Sequence, residues 1–75
     1  MNNQRRKAIE DIRGRIADIA QDIEDILSEE QDAFDNLPES FQESERGEAM
    51  QNAINALGEA VGLCGEIDDA LIEAV

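Results

Sequence analysis

The chemistry available to this chain is that of carboxylates. Asp11, Asp18, Asp25 and Asp32 recur every seven residues, and Glu59, Glu66 and Glu73 keep the same period. Seven residues of α-helix rise about 10.5 Å, so each set reads as a straight line of negative charge on a rod. Such lines attract basic protein surfaces and imitate the charge array of a nucleic-acid backbone. The plain alternative is a solvated exterior, since the outer positions of any helical bundle must be polar. That alternative explains polarity but not a chain whose single lysine is Lys7.

Catalysis finds little to work with. The chain has no histidine, one cysteine and no glycine-rich phosphate cradle. Glu29, Glu30 and Asp32 in one half, with Glu66 and Asp69 in the other, invite comparison with the paired acids that bind Mg²⁺ in all-α nucleotide pyrophosphohydrolases. The pattern fits poorly, because these acids fall at opposite ends of their helical patterns and no basic substrate clamp follows. Cys64 falls in the centre of an apolar face and reads as a small core residue rather than a nucleophile. The expectation is a non-enzymatic protein with no catalytic, metal or cofactor residues.

The net charge is −13, from 19 acidic and 6 basic residues. Arg5, Arg6, Lys7, Arg13 and Arg15 all lie in the first fifteen residues, and Arg46 is the only later cation. The long acidic part repels nucleic acid and anionic membranes and attracts basic partners. No apolar segment follows the basic N-terminus, and no run approaches membrane-span length. With one thiol, the expected location is the cytoplasm. High charge with few aromatics is also a mark of disorder, but disorder would not place six isoleucines in register.

Those isoleucines define the elements that position everything else. They stand at 9, 12, 16, 19, 23 and 26, in steps of three and four, an a/d heptad seam. Ile9, Ile16 and Ile23 take position a, and Ile12, Ile19 and Ile26 take position d. Ala20, Leu27 and Phe34 at e widen the face, and Glu30 falls at an a position where the seam opens. A first helix is predicted from about 4 to 35, with residues 1–4 fraying for want of an apolar anchor. Pro38 breaks the helix within a turn at 36–44, where Asn36 and Glu39 suit a short helical turn. Phe34 and Phe41 flank the turn and are expected to plug the end of a bundle. Ser44 is the expected N-cap of a second helix over about 45–74.

The apolar positions of that second helix form adjacent columns. Met50, Leu57, Cys64 and Leu71 make one, and Ala53, Ala60, Ile67 and Ala74 the next, with Ile54 and Val61 beside them. So wide a face suits two neighbours. Gly58, Gly62 and Gly65 are expected on the opposite, outer side. A core this small rarely supplies more than roughly 3–5 kcal/mol unaided, and there is neither a disulfide nor a zinc cluster. The predicted fold is therefore a single all-α domain, an antiparallel two-helix hairpin. It is expected to dimerise into a four-helix bundle whose core takes the six seam isoleucines with Leu57, Val61, Cys64 and Leu71.

Residues 34–50, with Asn36-Leu37-Pro38-Glu39-Ser40 in the turn and Ser44-Glu45-Arg46-Gly47-Glu48 opening the second helix, resemble the central motif of small acidic helical-hairpin proteins encoded by bacteriophages and prophages. The resemblance is specific in the turn and otherwise one of layout. It implies an accessory protein of a mobile element, acting in the host cytoplasm, and carries no site residues with it. Three expectations for function follow. The first is an inhibitor that, like a DNA mimic, uses Asp11, Asp18, Asp25, Asp32, Glu59, Glu66 and Glu73 to occupy a basic surface of a nucleic-acid-binding host or defence protein. The second is a structural adaptor that forms a bundle with a partner. The third is a sponge for a small anionic nucleotide signal, held by the N-terminal arginines. The expected partners are a second copy and a basic protein, with no direct contact to nucleic acid or membrane.

Overall fold

The computed structural model describes all residues, Met1–Val75. Two long helices fold back on each other: α1 spans Asn3–Asp35, α2 is a single turn at Glu39–Gln42, and α3 spans Glu45–Glu73. The Cα trace measures 58 × 15 × 11 Å, a rod one hairpin thick. Asn2 starts α1, its Oδ1 accepting the Arg5 amide hydrogen bond at 2.8 Å. That cap holds Asn3 and Gln4 in the helix, so α1 starts one residue earlier than expected, with Met1 and Asn2 outside it. Ser44 starts α3, with its Oγ accepting from the Gly47 amide at 3.4 Å and Glu45 and Glu48 in the first turn. Both acids complement the positive end of the helix dipole.

The turn is held by backbone and side-chain hydrogen bonds. The Asn36 amide donates to the Asp32 carbonyl and the Leu37 amide to the Phe34 carbonyl, each at 3.0 Å. Gln42 Nε2 then donates to the carbonyls of Phe34 and Leu37, both at 3.1 Å. The Leu37 carbonyl has no other partner, and the Phe34 carbonyl gains a second one. Asn36 thus closes α1 instead of opening α2. Pro38 precedes α2 with no side-chain cap, its φ of −55° already helical. Only one phenylalanine packs at this end: Phe34 is half-buried, whereas Phe41 on the single turn of α2 is 54% exposed.

Gly47 is where α2 rests on α3. It is buried, and a Cβ there would overlap the Gln42 carbonyl and lie 2.6 Å from the Phe41 carbonyl oxygen. Any side chain would push α2 off.

Along the hairpin, α1 faces α3 through positions a and e. Ile9, Ile16 and Ile23 from a, and Ala20, Leu27 and Phe34 from e, are all half-buried. Ile12, Ile19 and Ile26 at d are not part of this contact and are 36, 48 and 53% exposed. The matching line on α3 runs Met50, Ile54, Leu57, Val61, Cys64, Asp68, Leu71, with Ile54 and Cys64 the only apolar residues buried. This line is centred on Ile54, Val61 and Cys64, with Ala53 and Ala60 half-buried along its edge. A Cβ at Gly58 would meet Leu27 at 3.8 Å, so Gly58 does not lie opposite the contact as expected, whereas a Cβ at Gly65, at the edge of a groove with Gly14, would meet nothing within 4 Å. Gly62 does face open space.

Two stability outcomes follow. Gly62→Ala should raise the urea midpoint by the equivalent of about 0.5–1 kcal/mol, since alanine is the better helix former. Gly47→Ala should lower it by about 1–3 kcal/mol, because overpacking outweighs propensity there. Equal effects would show that α2 does not sit on Gly47. Cys64→Ser should cost about 1–3 kcal/mol, and a thiol reagent should label native Cys64 only as fast as the hairpin opens.

Candidate interaction surfaces

One ion pair crosses the hairpin. Arg13 Nε donates to Asp68 Oδ1 at 2.7 Å and Nη2 to Oδ2 at 3.3 Å, a two-pronged contact. It sets the register of α1 against α3, and it joins residues that sequence reading left apart. The available signal was their place in the pattern: Arg13 is the polar member of the e line, and Asp68 falls one step beyond Val61 and Cys64. The hydrogen bond from Arg13 holds the Asp68 carboxyl below its ordinary value against the opposing effect of burial, with the Arg13 charge adding to the bond. The same bond raises the Arg13 guanidinium. The pair closes one end of an open groove of about 580 Å³ between the helices, bordered by Gly14, Ala17, Cys64 and Gly65.

The two carboxylate lines lie outside. Asp11, Asp18, Asp25, Asp32, Glu59, Glu66 and Glu73 are all exposed. Asp11 pairs with Arg15 at 3.2 Å and Asp25 accepts from the Gln21 amide at 3.0 Å, while Asp18 and Asp32 have no side-chain partner. Arg13 opposite Asp68 implies that Gln21 lies near Ala60, which divides the rod into two halves. The turn half, residues 22–60, holds twelve acidic residues and Arg46; the open half holds seven acidic residues and five cations. The turn half therefore carries −11 of the −13 and the open half −2. Arg5, Arg6 and Lys7 form no ion pair within the chain.

The two broad sides of the hairpin differ. On the groove side stand Glu10, Gly14 and Ala17 of α1 with Val61 and Gly65 of α3. At 100° per residue the d positions of α1 and the column Ala53–Ala60–Ile67 of α3 must turn to the other side. There Ile12, Ile19, Ile26 and Ile67 form an apolar face across both helices, each 36–53% exposed, with Leu63 at its outer edge. A folded monomer of 8.3 kDa exposes about 4,600 Å²; this chain exposes 5519 Å².

The acids once compared with a magnesium site do not meet. Glu29, Glu30 and Asp32 lie at the turn end, roughly 25 Å along the rod from the level of Glu66 and Asp69. Nowhere do three acidic or cysteine side chains gather around a space fit for a metal ion. No helix is long and apolar enough to cross a membrane. No family model matches the chain, and neither does any curated protein or solved structure.

The Arg13–Asp68 pair has a pH signature. Asp68 has a lower pKa folded than unfolded, so its contribution is complete above the ordinary aspartate range and is lost as pH falls through the lowered folded value. Unaltered protein should be more stable than Asp68→Asn at neutral pH, by a margin that stays flat above the ordinary aspartate range and closes as pH falls through the lowered folded value. Urea midpoints of both proteins across that range measure it. A margin independent of pH would mean that the charge of Asp68 is not what holds the register.

Proposed function

We propose that this chain is a non-enzymatic acidic interaction protein, working as a self-paired four-helix bundle whose outer carboxylates occupy a basic surface of a nucleic-acid-binding protein. The observation that carries this reading is the concentration of −11 in the turn half, with a single cation to offset it. A field of that strength and sign steers cationic surfaces into contact and rejects nucleic acid. The turn motif shared in kind with phage hairpin proteins supports an accessory role in a mobile element, with host defence or repair machinery as the basic partner. Self-pairing is supported by the apolar face, because a face of exposed isoleucines is costly in water.

A second reading has its own support. The same apolar face suits an adaptor that completes its bundle with a helix of a larger protein, leaving the charge to confer solubility. The two readings separate on the aspartate line. Asp11→Asn, Asp18→Asn, Asp25→Asn and Asp32→Asn made together should leave helicity and oligomeric state nearly intact, because exposed charges contribute little to stability. The four changes should cut capture of a basic partner from host lysate by at least tenfold at about 0.1 M salt and flatten its salt dependence, as the Debye length there is near 10 Å. Capture that survives the changes and ignores salt would favour the adaptor.

A further inference from the structure

For two copies that meet on the apolar face, the charge distribution selects the direction. We infer that two hairpins pair face to face with their turns at opposite ends of the bundle, α1 running antiparallel to α1 of the partner copy about an axis at Ile19. The inference rests on the self-pairing proposed above and adds the face, the polarity and the register.

The exposed area is enough for a second copy. The chain exposes roughly 900 Å² more than a folded monomer of its mass, close to the 800 Å² that each partner gives up in a standard interface. The apolar face is built for such a contact: its isoleucines stand at every seventh residue on α1, and the facing column of α3 alternates Ala53 and Ala60 with Ile67. With α3 over α3, Ile67 of one copy falls at the level between Ala53 and Ala60 of the other.

Charge identifies the direction. With both turns at one end, two ends of −11 would be pressed together and the arginine clusters would gather at the other end. With turns at opposite ends, each −11 half lies against a −2 half that contains Arg5, Arg6 and Lys7. Those three cations have no ion-pair partner within their own chain. They also sit at a helix N-terminus, where positive charge opposes the dipole unless a carboxylate from elsewhere offsets it.

The register follows from the d line, which reads Arg5, Ile12, Ile19, Ile26, Ala33. An axis at Ile19 sets Ile19 beside its own counterpart and Ile12 beside Ile26. Arg5 then falls over Ala33, whose small side chain leaves room for the guanidinium, with Glu29 and Glu30 one turn back on the same surface. The line is complementary to its own reverse, as a two-fold interface requires.

The experiment uses full-length chains and sedimentation at micromolar concentration in about 0.05 M salt, with helicity followed by circular dichroism. One variant carries Arg5→Glu, Arg6→Glu and Lys7→Glu; the other carries Glu29→Lys and Glu30→Lys. Each alone should dimerise at least tenfold more weakly, and an equimolar mixture should recover the unaltered affinity to within about threefold. In a Cys64→Ala background, Ile19→Cys should oxidise to a disulfide-linked dimer. Ile12→Cys should not do so alone but should link to Ile26→Cys. If the variants pair no better when mixed, or if Ile12→Cys links to itself, the opposed direction is wrong while self-pairing stands. If the unaltered chain is a monomer under these conditions, self-pairing and the inference both fail.

Discussion

Two helices share only one line of contact, and that limit governs this molecule. A helix in a hairpin buries the strip that faces its neighbour and leaves the rest to water. Here the strip is the a and e positions of α1 against the line through Ile54 and Cys64 of α3, and only those two apolar residues fall below a tenth exposed. Everything else about the surface follows from which strip was used. Position d is left outside on one side, and a groove of small residues remains on the other. The interior is thin, so the ends carry more responsibility than they would in a thicker bundle. Asn2, Ser44 and Gln42 each satisfy backbone groups that a frayed hairpin would give up to solvent.

Charge works against the same architecture. The turn brings twelve carboxylates into half of a narrow rod, and their repulsion favours opening. The turn stays closed through contacts that do not depend on charge: the Gln42 amide on two carbonyls, and the seating of α2 on Gly47. At the other end one ion pair, Arg13 with Asp68, fixes the register where apolar contact thins toward Leu71. Neutral hydrogen bonds hold the crowded half, and an ionic bond holds the half with charges of both signs.

Much of the hairpin was legible in the residues. Pro38 and Ser44 marked the break and the restart within a residue or two, because a missing amide and a capping hydroxyl are local features. The choice between the a/d and a/e lines was not legible. Isoleucine stands at both a and d, so the pattern offers two equivalent edges, and the decision is made by α3 and by the angle at which the turn delivers it. For the same reason Gly58 reads as an outer residue: the alanine and cysteine columns of α3 look alike until the neighbour is in place. Gly47 gave no signal at all, since its requirement comes from carbonyls on a separate turn. The carboxylate lines, being exposed and strictly periodic, lay where their spacing put them.

The clasp at the turn bears on how this chain avoids a common accident of hairpins. Two long helices joined by a short connection can straighten into one continuous helix and exchange halves with another molecule, a domain swap that keeps every seam contact but ties two chains together. Straightening would have to run helix through residues 36–44. Pro38 has no amide to give and disfavours helix at Leu37. The Gln42 amide would lose both of its carbonyl partners, and Gly47 would weaken the new helix where no α2 remained to justify it. The swapped form would thus lose the turn's bonds and gain a poor helical segment in exchange. Each chain is held to its own hairpin, and molecules can associate and part as intact units without unfolding.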